Sequence, residues 1–556
     1  MASVLLIVAW LLPNHYPPWV NFHSEFLSFL GLGFLGVAWL WRSKQKASIP
    51  VAAIVLLSLV AIAWVQYAVG LIFYGGDAFI SSLYGVGFVF AITLGYNYSL
   101  KVNSSAGDVW LLPSYVLLCA ALASSFLAVM QWLLLTDSFS TFVAVSDIGD
   151  RATANLGQPN QLGTLLLMGL GALLLMFELN KSHRLILFLA MLLLTWGIVL
   201  SGSRTAMLSA LVLASFLAYK VHVRRLSNRP MRLQIRHLLF WLVGFALAVI
   251  SLPAVNAALL LDGDRAIGLL NDNGRITIWL QTLYGIFEAP WLGYGWNQTA
   301  AAQAVGALHL NGDLAFSNAH NIVLDLVAWV GIPLGLLVTA VFAYWLFKRV
   351  KSVQSTAAVC AMAMLLPVLV HSMLEFPFAY AYFLLAAGLL VGVIESSHVA
   401  ISVYGITSRT LAAALALLAV VGIYSAYEYL YIEEDYRVAR FENLRVGKTE
   451  ADYVQPKIVI HTQLAALLAT LRQPAVPGMD GAQLERLRKV SLRFGQRPLV
   501  FRYALALGLN GDAPGAAKQM QVFRAMYGDR AYQTFKLEFR VVQAEKYPEL
   551  AAVILP

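Results

Sequence analysis

The sequence predicts an all-α polytopic membrane protein with about 13 transmembrane helices, a large outer loop and a small outer C-terminal helical domain. Three observations carry that expectation. Hydrophobic residues make up 60% of the 556-residue chain and charged residues only 12%, a balance foreign to water-soluble domains. Apolar runs able to cross a ~30 Å hydrocarbon core recur from the N-terminus to about residue 427. Beyond residue 428 the composition turns to charges alternating with apolar residues, the mark of a soluble helical segment.

Thirteen apolar runs lie near 3–12, 26–41, 49–73, 79–97, 109–135, 161–178, 184–201, 204–221, 237–261, 321–347, 355–371, 376–396 and 411–427. The first is short. It lacks a basic leader and a small-residue cleavage site, so it reads as a retained span. Cys119 and Cys360 both fall inside apolar runs, which predicts buried thiols and no disulfide framework.

Lysine and arginine placement sets the orientation. With the N-terminus inside, sixteen basic residues fall in inner loops: Arg42, Lys44, Lys46, Lys101, Lys181, Arg184, Lys220, Arg224, Arg225, Arg229, Arg232, Arg236, Lys348, Arg349, Lys351 and Arg409. Only Arg151, Arg204, Arg265 and Arg275 fall in outer loops before the C-terminal region. The outer loops are then 13–25, 136–160, 201–204, 262–320 and 371–377, and residues 428–556 are outer as well. Within the longest loop, Ile276, Trp279, Leu280, Leu283, Ile286 and Phe287 repeat at helical spacing behind Asp272 or Asn273 as a cap. That pattern predicts an amphipathic helix lying on the membrane surface. RYALALGLNGDAPGAAKQMQVFRAMYG, in the C-terminal part, reads as helix, turn, helix, like one tetratricopeptide-like unit.

Positive charge is scarce on the outer face, so each arginine there needs a reason. Arg204 follows Ser201 and Ser203, either of which caps the helix it opens. Arg275 opens the amphipathic helix after Gly274. A guanidinium beside exposed helix-start amides is an anion site, and two of them suit a diphosphate. Lipid headgroup contact, or an ion pair such as Arg275 with Asp272, accounts equally well for each arginine taken alone.

His320 stands at the outer lip of the 321–347 run. The positive end of a helix disfavours imidazolium, so the ring is expected to be neutral, as a general base must be. Position alone favours a histidine that merely caps the helix. Asp325, about 7.5 Å deeper along a helix, is expected to pair with a neighbouring helix. No His, Cys or carboxylate cluster has zinc-like spacing, and no glycine-rich phosphate loop or dinucleotide fingerprint occurs. Neither a metal nor another cofactor is therefore expected. Basic, aromatic-interleaved stretches are absent too, so nucleic acid is not an expected partner.

SGSRTAMLSALV, GYGWNQ (293–298) and SNAHNIVLDLVAWVGIPLG together resemble the O-antigen ligase superfamily of multi-spanning glycosyltransferases, with a GT-C-like architecture. In that family a His-Asn pair is followed nine residues later by glycine, as His320-Asn321 is by Gly331. A small residue or tyrosine is expected three further on, where this chain has Leu334, with Gly335 one late. PNHYPPW, NLGQPNQLGT (155–164) and HSMLEFPFAYAYF (371–383) are similar to the protein-directed branch, the bacterial O-linked oligosaccharyltransferases that glycosylate pilins. A C-terminal extension also fits that branch.

The resemblance implies a bacterial inner-membrane enzyme. Its donor would be a glycan on undecaprenyl diphosphate, and its acceptor a periplasmic hydroxyl. It gives His320 the essential-histidine role and makes Arg204 and Arg275 diphosphate ligands. Gln158, in the QPNQ motif, Asn321, and Tyr380 or Tyr382 become substrate-binding candidates. Arg151 and Arg265 stand in reserve, and His371 and Glu375 line the same face. The alternatives are an O-antigen ligase acting on lipid A core, an O-antigen polymerase, a transporter of the same lipid, and a scaffold for pilus components. A transporter should show internal repeats and a polar path at mid-membrane, and neither is evident. Deleting 440–556 would abolish a scaffold's function, whereas an enzyme is expected to keep some donor hydrolysis.

Overall fold

The structure is a computed structural model, and it describes residues 1–43, 46–100, 111–144, 151–228, 230–261, 274–398 and 403–556. Arg265, Asp272 and Asn273 lie outside these. In chain order the helices are α1 (Ala2–Leu11), α2 (Phe22–Arg42), α3 (Val51–Ala68), α4 (Gly75–Leu100), α5 (Leu111–Trp132), α6 (Pro159–Glu178) and α7 (Arg184–Leu200). There follow α8 (Arg204–Leu226), α9 (Ile235–Ala258), α10 (Arg275–Glu288), α11 (Thr299–Gly306), α12 (Ile322–Val330), α13 (Ile332–Ser352) and α14 (Thr356–Ser372). Last come α15 (Ala381–Ser396), α16 (Ser408–Leu444), α17 (Thr462–Arg472), α18 (Gly481–Phe494), α19 (Arg497–Leu509) and α20 (Ala513–Glu545). One two-stranded antiparallel ladder, Ala47–Pro50 with Val403–Ile406, is the sheet among the described residues.

The chain is thus an all-α polytopic membrane protein. Nine described helices, α2–α6, α8, α9, α13 and α16, are long and apolar enough to cross a membrane, and α1, α7, α14 and α15 are shorter apolar helices. Together they fall on the thirteen apolar runs. The run from 321 to 347 is divided, however. At Gly331 the backbone turns to φ 81°, ψ 166°, a region closed to side chains. A Cβ there would also come within 2.2 Å of the Trp291 carbonyl oxygen. The candidate span therefore begins at Ile332. The nine residues of α12, about 13.5 Å long, are too few to cross.

By backbone contacts the chain forms two compact units. One comprises Met1–Ser58, Tyr84–Asn271 and Tyr344–Val420; the other comprises Leu59–Leu83, Asp272–Ala343 and Val421–Pro556. The first is built around α6, whose Leu162, Leu165, Leu166 and Met168 are fully buried among α5, α7, α8 and α14. Small residues let the helices close up. A Cβ on Gly163 of α6 would meet Ala206 of α8 at 2.5 Å.

At one end of this unit, Asn155 donates to Leu11 O at 2.7 Å and its own carbonyl meets His15 Nε2 at 2.9 Å. Ala152 N donates to Leu200 O there as well. At the other end, Lys220 donates to Val353 O (2.9 Å), Leu233 N to Glu178 (2.8 Å), and Arg349 pairs with Glu395. Loops that the charge count assigns to one side bond to one another, so alternate helices run in opposite directions. Cys360 is buried as expected. Cys119 is exposed instead, because it falls on the face of α5 turned away from the bundle.

The second unit joins the 274–331 segment to the C-terminal helices. Ala304 of α11 and Ala307 just beyond it pack with buried Phe501 and Ala504 of α19 and with Met520 and Phe523 of α20. Gly312 N also donates to Ala525 O at 2.7 Å. The expected helix–turn–helix appears as α19 and the start of α20, which kinks at Gly528. Asp77, at the start of α4, is buried in an ion pair with Arg493 of α18 (2.8 Å). Helix α10 turns Gln281 and Thr282 inward and leaves Ile276, Leu280, Tyr284 and Phe287 exposed. Ile286, expected on the outward apolar face, is buried instead. The helix is rotated by polar bonds: Gln281 donates to Leu310 O and accepts from Gln303.

Candidate active site

In the second unit the residues around His320 form a braced turn. Asn321 is the N-cap of α12, and its Oδ1 accepts from Val323 N (3.0 Å) and Leu324 N (3.3 Å). Asparagine thus does the capping, and His320, one residue before it, does not cap. His320 itself has φ +54°, the left-handed region that few side chains enter. Asp325, one turn into α12, is fully buried. Its Oδ1 accepts from Ala319 N at 2.8 Å and from the Thr299 hydroxyl of α11 at 2.7 Å. Trp329 Nε1 in turn donates to Thr299 Oγ1 at 2.8 Å.

Burial pushes the Asp325 carboxyl up to about 7, against the pull of those hydrogen bonds and of the His320 charge. The GYGWNQ stretch closes onto the end of the same helix. Tyr294 N and Gly295 N donate to Ala328 O and Trp329 O, and Trp296 N donates to Gln66 Oε1 while Gln66 Nε2 reaches Trp329 O. Tyr294, its phenol raised to about 12 by burial, stays a neutral donor to Gly285 O. Arg275 is the first residue of α10, which follows Gly274 as its N-cap and packs against α12. His320, Asn321, Asp325 and Arg275 are therefore gathered in one unit.

The remaining candidates lie in the first unit. Ser203 caps α8, so Arg204 is the first helical residue. Ser203 Oγ donates to Asn160 Oδ1 at 2.6 Å, and Asn160 Nδ2 donates to Glu375 at 3.1 Å. His371 Nδ1 meets the Thr164 hydroxyl at 2.9 Å. Arg151 is exposed, with its guanidinium 3.5 Å from Gly202 O. The two tyrosines separate here: Tyr382 donates to Gln161 Oε1 at 2.7 Å, and Tyr380 stacks on Tyr382. Gln158 is the N-cap of α6, accepting from Gln161 N.

Sequence reading therefore singled out one glutamine of QPNQ and passed over Gln161 and Asn160. Their spacing to Thr164 along one helix face was the available signal. Glu25, which accepts from Trp19 Nε1 at 2.8 Å and from Tyr84, was also missed. Among the described residues no group of three or more His, Cys, Asp or Glu side chains is placed to hold a metal ion.

The fold and the site define a polytopic helical membrane protein with basic residues at helix starts and a histidine held in a braced turn. Comparison with known proteins narrows this. Residues 189–339 match the O-antigen ligase family, and residues 359–541 match the C-terminal region of virulence factor membrane-bound polymerases. The general O-oligosaccharyltransferase of Acinetobacter baylyi is 29% identical over 542 residues, covering 95% of this chain and 92% of that protein. The ComP-specific O-oligosaccharyltransferase of the same organism is 28% identical over 415 residues, 72% of each chain. The chain thus carries an O-antigen ligase family domain, is similar to these oligosaccharyltransferases along nearly its whole length, and is a glycosyltransferase.

Proposed function

We propose that this protein is an O-linked oligosaccharyltransferase of the bacterial inner membrane, with its N-terminus cytoplasmic and its site and C-terminal residues periplasmic. It transfers a glycan en bloc from undecaprenyl diphosphate to Ser or Thr hydroxyls of periplasmic proteins such as pilin, with inversion and without a metal. The observation that carries the reading is the likeness to the general O-oligosaccharyltransferase, which runs through both the ligase segment and the C-terminal helices.

In this mechanism His320 takes the proton of the acceptor hydroxyl as its oxygen forms a bond to the anomeric carbon. The bond from that carbon to the diphosphate oxygen breaks, and the diphosphate leaves with the electron pair. Arg204 and Arg275 hold the departing anion and stabilise its growing charge more in the transition state than in the ground state. Gln161 with Tyr382, Asn160 with Glu375, Gln158, Tyr380, His371 and Arg151 supply the polar surface on which the glycan is read. Arg265 remains a reserve cation.

His320→Ala, purified in lipid nanodiscs, is expected to insert and stay folded while losing transfer by ~100-fold or more. Retained transfer would remove His320 from the mechanism. The polymerase description of the match at 359–541 favours a second reading with a glycan acceptor. Incubating enzyme and lipid-linked glycan with pilin, with lipid A core, or with more lipid-linked glycan separates the readings by product mass. Only glycosylated pilin fits the proposal.

A further inference from the structure

We propose that Asp325 is a positioning residue for His320, holding the left-handed turn that presents the imidazole and supplying the countercharge to the imidazolium formed during proton transfer. The inference rests on the general-base reading of His320 given above.

The geometry has three parts. First, His320 occupies a backbone conformation of φ +54°, which costs a non-glycine residue free energy unless neighbours enforce it. The enforcement is visible on both sides. Asn321 Oδ1 ties the following residues into α12, and Asp325 Oδ1 seizes Ala319 N, the amide immediately before the histidine. Second, Asp325 is itself immobilised. The Thr299 hydroxyl donates to the same oxygen, and Trp329 Nε1 donates to Thr299, so α11 and both ends of α12 share one chain of hydrogen bonds. Third, the arrangement is expensive if its only purpose is packing. A fully buried carboxyl is worse for stability than an amide or an apolar side chain of the same size.

The charges around Asp325 single out one partner. Helix α10 brings Arg275, Tyr284 and Glu288, the following turn brings Tyr294, and the segment before α12 brings His309, Asp313 and His320. Helix α11 has no titratable side chain, and Tyr67 and Tyr74 lie on the 66–74 segment, whose Gln66 reaches Trp329. Of all these, His320 is the one whose charge acts on Asp325. With the carboxylate in place, a proton taken onto His320 is met by a negative charge that acts on it rather than left as an isolated cation.

Three substitutions and one control test this in the full-length enzyme in nanodiscs. Asp325→Asn keeps an oxygen for Ala319 and Thr299 and removes the charge. Its kcat is expected to fall about tenfold with donor KM little changed, and the acid limb of its pH profile to move to lower pH. Asp325→Ala also releases the turn and is expected to lose on the order of 100-fold in kcat. Thr299→Val loosens the carboxylate without touching the turn, so its kcat should lie between those of the wild type and Asp325→Asn.

A pH profile for Asp325→Asn superimposable on the wild type, or a wild-type kcat for a folded Asp325→Ala, would overturn the proposal. Should Asp325→Ala fail to insert, the Asn and Val variants decide by the same criteria. His320→Ala, run alongside, keeps the two failures apart. If it is inactive while the Asp325 variants behave as wild type, only the positioning role falls. If it is active, the base assignment falls with it.

Discussion

Asn321 shows how one residue can carry two roles at a site, and how to separate them. The His-Asn pair invites a substrate-binding asparagine, yet its side-chain oxygen is occupied by Val323 N and Leu324 N at the start of α12. If capping is its task, Asn321→Asp keeps both the cap and transfer activity, because aspartate caps as well as asparagine. Asn321→Ala would then cost about 1 kcal/mol of stability, with activity falling as the His320 turn frays. Thermal unfolding and transfer assays on the two variants check this, and loss of activity in a stable Asn321→Asp would restore the substrate role. The same limit held back the sequence reading elsewhere. It found His320, Arg204 and Arg275 from their place at helix starts, which is local information. It passed over Gln161, Asn160 and Thr299, whose meaning lies in Tyr382, Glu375 and Asp325, brought close only by the fold.

Helices were more legible than their ends. All thirteen apolar runs carry helix, since burial of a continuous apolar stretch is written into composition. The break at Gly331 was not, because it depends on the Trp291 carbonyl crossing at that point. The tie between α4 and α18 is of the same kind. Asp77 is 1% exposed and Arg493 15%, with the Nε–Nη2 edge of the guanidinium engaged by the carboxylate. Removing one partner leaves a buried charge alone, so Asp77→Ala or Arg493→Ala should destabilise the second unit by roughly 3–5 kcal/mol. Replacing both together, as Asp77→Leu with Arg493→Met, is expected to recover most of that loss. Thermal unfolding in detergent measures each. A double variant as unstable as the singles would mean that the charges themselves, rather than their pairing, hold α18 in place.

At the scale of the whole molecule, the sequence suggested a transmembrane part ending near 427 and a separable helical domain after it. The compositional switch is real, but composition cannot reveal that 274–331 and 421–556 share a core. Ala304 and Ala307 pack with Phe501 and Phe523, and the amide of Gly312 bonds to Ala525, on the stretch of chain that leads to His320. Deleting 440–556 therefore strips apolar cover from α11 and removes the Ala525 carbonyl to which the 307–319 segment is tied at Gly312. The truncated protein is expected to insert through its apolar helices yet to become protease-sensitive between 299 and 320. It should lose donor hydrolysis as well as transfer, unlike an enzyme with a detachable recruiting domain. Limited proteolysis of membranes, with released diphosphate-lipid as the activity readout, tests this. Donor hydrolysis at the full-length rate, from a truncated protein with an intact 299–320 segment, would make the C-terminal helices an accessory and leave the site complete without them.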